Sequence, residues 1–120
     1  IIINMTPVIM EELLAKSGEK MEVIDYFVCH QSSSFTLKKL AQRLEVTEQR
    51  LFNDIVPKYG NSSSATIPVT MCEHNEQMFA DGNSKKVMFA AFGTGMSLGA
   101  VLMELDKPIC KLLNYPHKNV

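Results

Sequence analysis

Two side chains in this sequence could steady a developing negative charge, and each stands at a telling place. His30 ends the apolar run Tyr26-Phe27-Val28-Cys29 and precedes Ser32, Ser33 and Ser34. In open α/β sheets, ligand and catalytic groups collect at the carboxyl ends of strands, and an imidazole there can donate a hydrogen bond or move a proton. It can equally be a loop histidine whose ring nitrogens are merely satisfied. Asn61 follows Gly60 in Lys58-Tyr59-Gly60-Asn61-Ser62-Ser63-Ser64. Its amide N–H could face an oxyanion. Asparagine is also favoured in such turns simply because it tolerates left-handed backbone geometry.

Other candidates read more plainly. Cys29 adjoins His30, but neighbours on a strand point to opposite faces, so no Cys–His nucleophilic pair is expected and Cys29 reads as a buried, inert thiol. Cys72, beside Met71 in a helical segment, reads the same way. The glycines of "FGTGMSLG" at 93, 95 and 99 miss the dinucleotide-loop spacing, and a strand follows. A glycine-rich hairpin remains, where a ligand can approach the backbone closely and a free amide can serve an oxyanion. Lys38, Lys39 and Arg43 form a basic helix face, either solvated surface or a dock for an acidic partner. His74 and His117 have no partner at useful spacing and read as solvent-exposed.

The elements that must carry these residues follow from pattern and composition. A chain of 120 residues, 46% hydrophobic, fits one domain with a packed core. Twelve basic and thirteen acidic residues leave a net charge of −1, which argues against nucleic acid as a partner. No apolar run reaches bilayer length, and the start "IIINMTPVIM" lacks a basic region or small-residue cleavage site, so neither membrane nor secretion is expected. Three cysteines, odd in number and with no C-x-x-C pair, suit free thiols in the cytoplasm and offer no metal site.

Thr6-Pro7 reads as a helix start, with Val8, Ile9, Leu13 and Leu14 on one side and Ser17-Gly18 as its stop. Residues 24–29 read as a buried strand. From about Ser33 to Leu44, Leu37, Leu40, Ala41 and Leu44 recur at helical spacing. "VTEQRLF" reads as one or two helical turns capped by Thr47. Pro57, Gly60 and Asn61 mark a loop. A helix through Met71, Cys72 and Met78 should follow, with Pro68 near its first turn. "KKVMFAAFG" and "SLGAVLMEL" read as two strands joined at Gly93-Thr94-Gly95, and "NYPHKNV" as loop. The order implies an α/β layer architecture. With only three strands visible, and a start that reads like the interior of a core, the chain is expected to be part of something larger.

His30-Gln31, Lys58-Tyr59-Gly60-Asn61-Ser62-Ser63-Ser64, Ile67-Pro68 and Ala91-Phe92-Gly93 occur here in one order. Together they resemble the carboxyl-terminal half of ketoacyl-(acyl-carrier-protein) synthase III, over the span from the first helix to about Leu105. The resemblance implies a thiolase-like half-domain, layered α-β-α around a small mixed sheet. It also implies that residues 1–120 are the half bearing the histidine and asparagine. The nucleophilic cysteine would belong to an amino-terminal half in an Ala-Cys-x-Gly-like setting that this sequence does not contain, so the chain alone should be inactive.

By the same resemblance, the reaction is decarboxylative condensation of an acyl-CoA primer with a malonyl-phosphopantetheinyl carrier protein, with no bound cofactor. His30 and Asn61 would be catalytic. Phe92, Gly93, Thr94, Gln31 and Ser33 would serve substrate binding or the oxyanion, and Lys38, Lys39 and Arg43 carrier-protein docking. Acyl-CoA, acyl carrier protein, the amino-terminal half and a second copy in a homodimer are the implied partners. The sequence departs from the family's frequent His-Gln-Ala-Asn at Ser32 and Ser33. Phe35 stands where a basic residue often follows, and Thr94 replaces a common glycine. These departures leave primer and extender open. They also leave two rivals: a non-catalytic module that shapes a partner's acyl pocket, and a ketosynthase-like acyltransferase of secondary metabolism that never decarboxylates malonate.

Overall fold

A computed structural model of the chain describes residues 1–113. The helix α1 spans Ile2–Ser17, the strand β1 Tyr26–Cys29, and α2 Ser34–Leu44. They are followed by the short α3 (Ile55–Tyr59), α4 (Thr66–Met78), β2 (Lys85–Gly93) and β3 (Ser97–Leu105). The sheet order is β1-β2-β3. β1 and β2 run parallel with Phe27 opposite Met88, and β2 and β3 run antiparallel with Val87 opposite Met103. The sheet is therefore mixed, with helices on both faces.

Strand alternation divides the core. Phe27 and Cys29 face one way and pack with Met88, Ala90, Met10, Leu14, Leu37 and Leu40, the last four from α1 and α2. Val28 faces the other way and joins Val87, Phe52, Met71, Met78 and Phe79 beneath α4. The period-two pattern thus gives β1 and the first half of β2 two buried faces, while β3 has no fully buried residue along its length. α2 matches its periodicity: Leu37, Leu40 and Ala41 are buried, and Ser33 caps the helix by accepting the Thr36 N–H at 3.1 Å.

Several expectations are corrected. α1 begins at Ile2, four residues before Thr6-Pro7, because Asn4 and Met5 already donate to the Ile1 carbonyl at 3.1 and 2.8 Å. Its buried stripe is Thr6, Pro7, Met10 and Leu14, rotated so that Val8 is exposed. Its end is as expected: Gly18 adopts φ 73°, a left-handed geometry that glycine takes without a Cβ clash. "VTEQRLF" is a turn rather than a helix. Arg50 and Leu51 both donate to the Thr47 carbonyl, and Leu51 then bridges Phe27 of β1. Pro57 lies inside α3, at a first-turn position whose N–H would have no helical partner. Pro68 sits likewise in the first turn of α4. The serines before α4 supply no side-chain cap.

The cysteine reading is corrected too. Cys72 and Cys110 are disulfide-bonded, with Cα atoms 4.9 Å apart, and only Cys29 is a free, buried thiol. After β3 the chain turns back over α4, and this long-range return brings together residues 38 apart in sequence. "NYPHKNV", with His117, lies outside the described residues. No helix among the described residues is long and apolar enough to cross a membrane.

Candidate active site

The segment after β1, the loop before α4 and the tip of the β2–β3 hairpin border an open cleft of about 360 Å³ at one end of the sheet. His30 leaves the end of β1, and its N–H donates to the Ala90 carbonyl at 2.8 Å, extending the β1–β2 ladder by one residue. Cys29 turns into the core while His30 turns into the cleft. Burial pushes the Cys29 thiol up to about 12, so it is inert at neutral pH. The His30 ring lies 5.9 Å from the Phe92 ring at the end of β2. Asn61, Phe92, Gly93 and Thr94 line the same cleft, joined by Ile2, Ser32, Ser63 and Met96.

Asn61 is oriented by its own turn. Its Oδ1 accepts the Ser63 N–H at 3.0 Å, which leaves the amide N–H₂ as the free end of the side chain. Asn61 itself is not left-handed; Ser63 takes that geometry at φ 58°, so Asn61 serves the turn through its side-chain oxygen rather than through its backbone. The hairpin tip is equally tight. Gly95 (φ 75°) and Met96 (φ 54°) are both left-handed, so the chain reverses between Gly93 and Ser97.

The remaining candidates lie elsewhere. Gln31 is fully buried, and its Nε2 donates to the carbonyls of Cys29 and Phe52, both at 3.0 Å. Ser33 is the α2 cap. Neither lines the cleft. Lys38, Lys39 and Arg43 are exposed on α2, with Lys39 Nζ 5.6 Å above the Phe35 ring. Arg43 borders a separate groove between the C-terminal ends of α1 and α2. His74 is not solvent-exposed as its isolated position suggested. Its ring stacks on Phe52 at 3.8 Å, and its Nε2–H donates to Asp54 Oδ1 at 2.8 Å. No group of His, Cys, Asp and Glu among the described residues could hold a metal.

Two residues that position the cleft had no signal in the sequence. Thr66, fully buried, accepts the Gln31 N–H at 3.0 Å and donates to the Ser63 carbonyl at 2.8 Å. It ties the segment after His30 to the loop that begins with Asn61. Glu73 on α4 holds the residues before that loop, with Oε1 2.7 Å from Lys58 Nζ and Oε2 accepting the Tyr59 hydroxyl at 2.6 Å. The Lys58 and Tyr59 hydrogen bonds keep the Glu73 carboxyl below its ordinary 4.5. The same bonds raise Lys58 and Tyr59.

Residues 14–105, most of the chain, match the family described as 3-oxoacyl-[acyl-carrier-protein (ACP)] synthase III C terminal. The chain belongs to that family. Among curated relatives, the beta-ketoacyl-[acyl-carrier-protein] synthase III of Streptococcus suis is 34% identical over 98 residues, covering 80% of this chain and 30% of the relative. The solved 3-oxoacyl-[acyl-carrier-protein] synthase III of Aquifex aeolicus superposes with a TM-score of 0.76 at 30% identity, over 86% of this chain and 33% of that one. The corresponding structure from Pseudomonas aeruginosa, at 22% identity and a TM-score of 0.78 over 89% and 33%, shows the shared thiolase-like fold. The chain thus spans about a third of the length of these synthase III relatives.

Proposed function

We propose that this chain is the histidine- and asparagine-bearing half of a 3-oxoacyl-(acyl-carrier-protein) synthase III. In this reading it takes part in decarboxylative condensation of an acyl-CoA primer with malonyl-carrier protein, in fatty acid biosynthesis. The observation that carries the reading is that His30 and Asn61, on separate segments, line one cleft with Phe92. The family membership of residues 14–105 supports it.

The chemistry follows from the donors. When the malonyl thioester loses carbon dioxide, the electrons of the broken C–C bond become an enolate, and charge gathers on the thioester oxygen. His30 Nε2–H and the spare Asn61 amide N–H stabilise that charge more than they stabilise the neutral carbonyl, so they lower the barrier rather than merely binding substrate. The apolar Phe92 ring beside His30 disfavours an ionised carboxylate and favours its departure as neutral carbon dioxide. The enolate carbon then attacks an acyl thioester, and the backbone amide near Thr94 donates to the oxyanion of the resulting tetrahedral adduct.

The acyl thioester requires a cysteine nucleophile. Cys29 is buried with a raised pKa, and Cys72 and Cys110 are joined to each other. A second half of the enzyme would supply it. Acyl carrier protein, docking on Lys38, Lys39 and Arg43, and a homodimeric assembly in the cytoplasm belong to the same reading. The test is to incubate the enzyme containing this half with acyl-CoA and malonyl-carrier protein. Mass spectrometry should find 3-oxoacyl-carrier protein. Acyl transfer without loss of carbon dioxide would instead identify an acyltransferase.

A further inference from the structure

The family match ends at Leu105, but the chain does not. Residues 106–113 turn back as a strap across α4, and their attachments are few. Lys107 Nζ meets Glu76 Oε2 at 2.7 Å, an exposed pair of the kind that contributes little. Asn75 Nδ2 donates to the carbonyls of Pro108 and Cys110 at 3.2 and 3.3 Å. Apolar anchoring is weak: Ile109 and Leu113 are almost wholly exposed, and only Cys110 packs against the cluster beneath α4. Asp106 Oδ1 accepts the Ser84 hydroxyl at 3.0 Å, and the other attachment among the described residues is the covalent one, Cys72 to Cys110.

We propose that Cys72–Cys110 is a reversible thiol–disulfide site, served by a dithiol reductant and a disulfide oxidant, and that reducing it releases the strap from α4. Both cysteines are half-buried and line the groove between strap and α4, whereas Cys29 is fully enclosed. Exchange runs in two displacements. A reductant thiolate attacks one sulfur of the bridge, forming a mixed disulfide and freeing the other cysteine as a thiolate, which takes up a proton. The reductant's second thiol, deprotonated, then displaces the remaining cysteine. The protein gains two electrons and two protons, and the dithiol leaves as a cyclic disulfide. Oxidised glutathione reverses the sum through the corresponding mixed disulfide.

Two features favour release once the bridge opens. One amide nitrogen, Asn75 Nδ2, serves both strap carbonyls, so the hydrogen bonds nearest the bridge depend on a single side chain. The groove of about 500 Å³ between strap and α4 leaves the two loosely packed.

The experiment uses the chain itself, equilibrated with oxidised glutathione or with dithiothreitol. After oxidation, native alkylation should label no cysteine. After reduction, it should add one group each to Cys72 and Cys110, leave Cys29 unlabelled, and accompany a mass increase of about 2 Da before labelling. Trypsin should cut after Lys111 about tenfold faster in the reduced protein, since cleavage follows the population of the open segment. Cys72→Ser and, separately, Cys110→Ser should cut at the fast rate in both buffers. Labelling of Cys72 and Cys110 despite oxidation would overturn the proposal. So would equal cleavage rates in the two buffers.

Discussion

The hydroxyl of Thr66 accepts the backbone N–H of Gln31 at 3.0 Å, joining residues 35 apart in sequence. The same hydroxyl donates to Ser63, whose own N–H is held by Asn61. One buried oxygen therefore spans from the residue after His30 to the turn that orients Asn61. In an account where both side chains face one enolate oxygen, this contact sets their separation.

Replacing Thr66 with valine keeps the shape and removes the hydroxyl, leaving the Gln31 N–H buried without a partner. We expect a loss of about 1–3 kcal/mol in denaturant unfolding, and a smaller loss for Thr66→Ser, which keeps the oxygen. Equal midpoints for Thr66→Val and the wild type would show that the bridge contributes nothing.

Gln31 and Ser33 act through the backbone. Gln31→Leu leaves the Cys29 and Phe52 carbonyls unpaired in the core, with an expected cost of about 1–3 kcal/mol. Ser33→Ala removes the α2 cap at about 1 kcal/mol. Thermal unfolding measures both. If instead stability holds while substrate binding falls, the two side chains touch substrate after all.

Glu73 gives the Asn61 loop a pH dependence. Because its folded pKa is depressed, the stabilisation is present above the ordinary glutamate value of 4.5 and is lost as pH falls through the folded pKa. Lys58 and Tyr59 are raised, so their share is present below their unfolded values and is lost as pH rises through the folded ones. Hydrogen exchange at Gly60–Ser63, corrected for intrinsic rates, should therefore be slowest between those limits. Glu73→Gln should flatten the acid limb with little change in global stability, since its partners Lys58 and Tyr59 are exposed. An unchanged acid limb in that variant would show that Glu73 does not govern the loop.

Much of this arrangement is legible in the sequence, for reasons that differ by element. α2 announces itself because Leu37, Leu40 and Ala41 repeat at helical spacing and Ser33 can cap. The β2–β3 hairpin does so through paired apolar runs around glycines. α1 misleads: Thr6-Pro7 carries a local start signal, but the turn before it already closes on Ile1 and packing buries Thr6. Cys72 and Cys110, His74 and Asp54, and Thr66 and Gln31 are long-range pairs, and nothing local marks them. His30 and Asn61 are each bland alone. Their joint order with Phe92-Gly93-Thr94 carries the resemblance, and the fold brings these residues to one cleft.

The central claim is that His30 and Asn61 share the charge of one enolate. Its most direct test is carbon dioxide release from a malonyl thioester by the enzyme containing this half, comparing wild type with His30→Ala and Asn61→Ala, with cysteine acylation measured separately. We predict that each substitution slows decarboxylation by about 10²–10³ while acylation remains detectable. Decarboxylation at the wild-type rate in both variants would contradict the account.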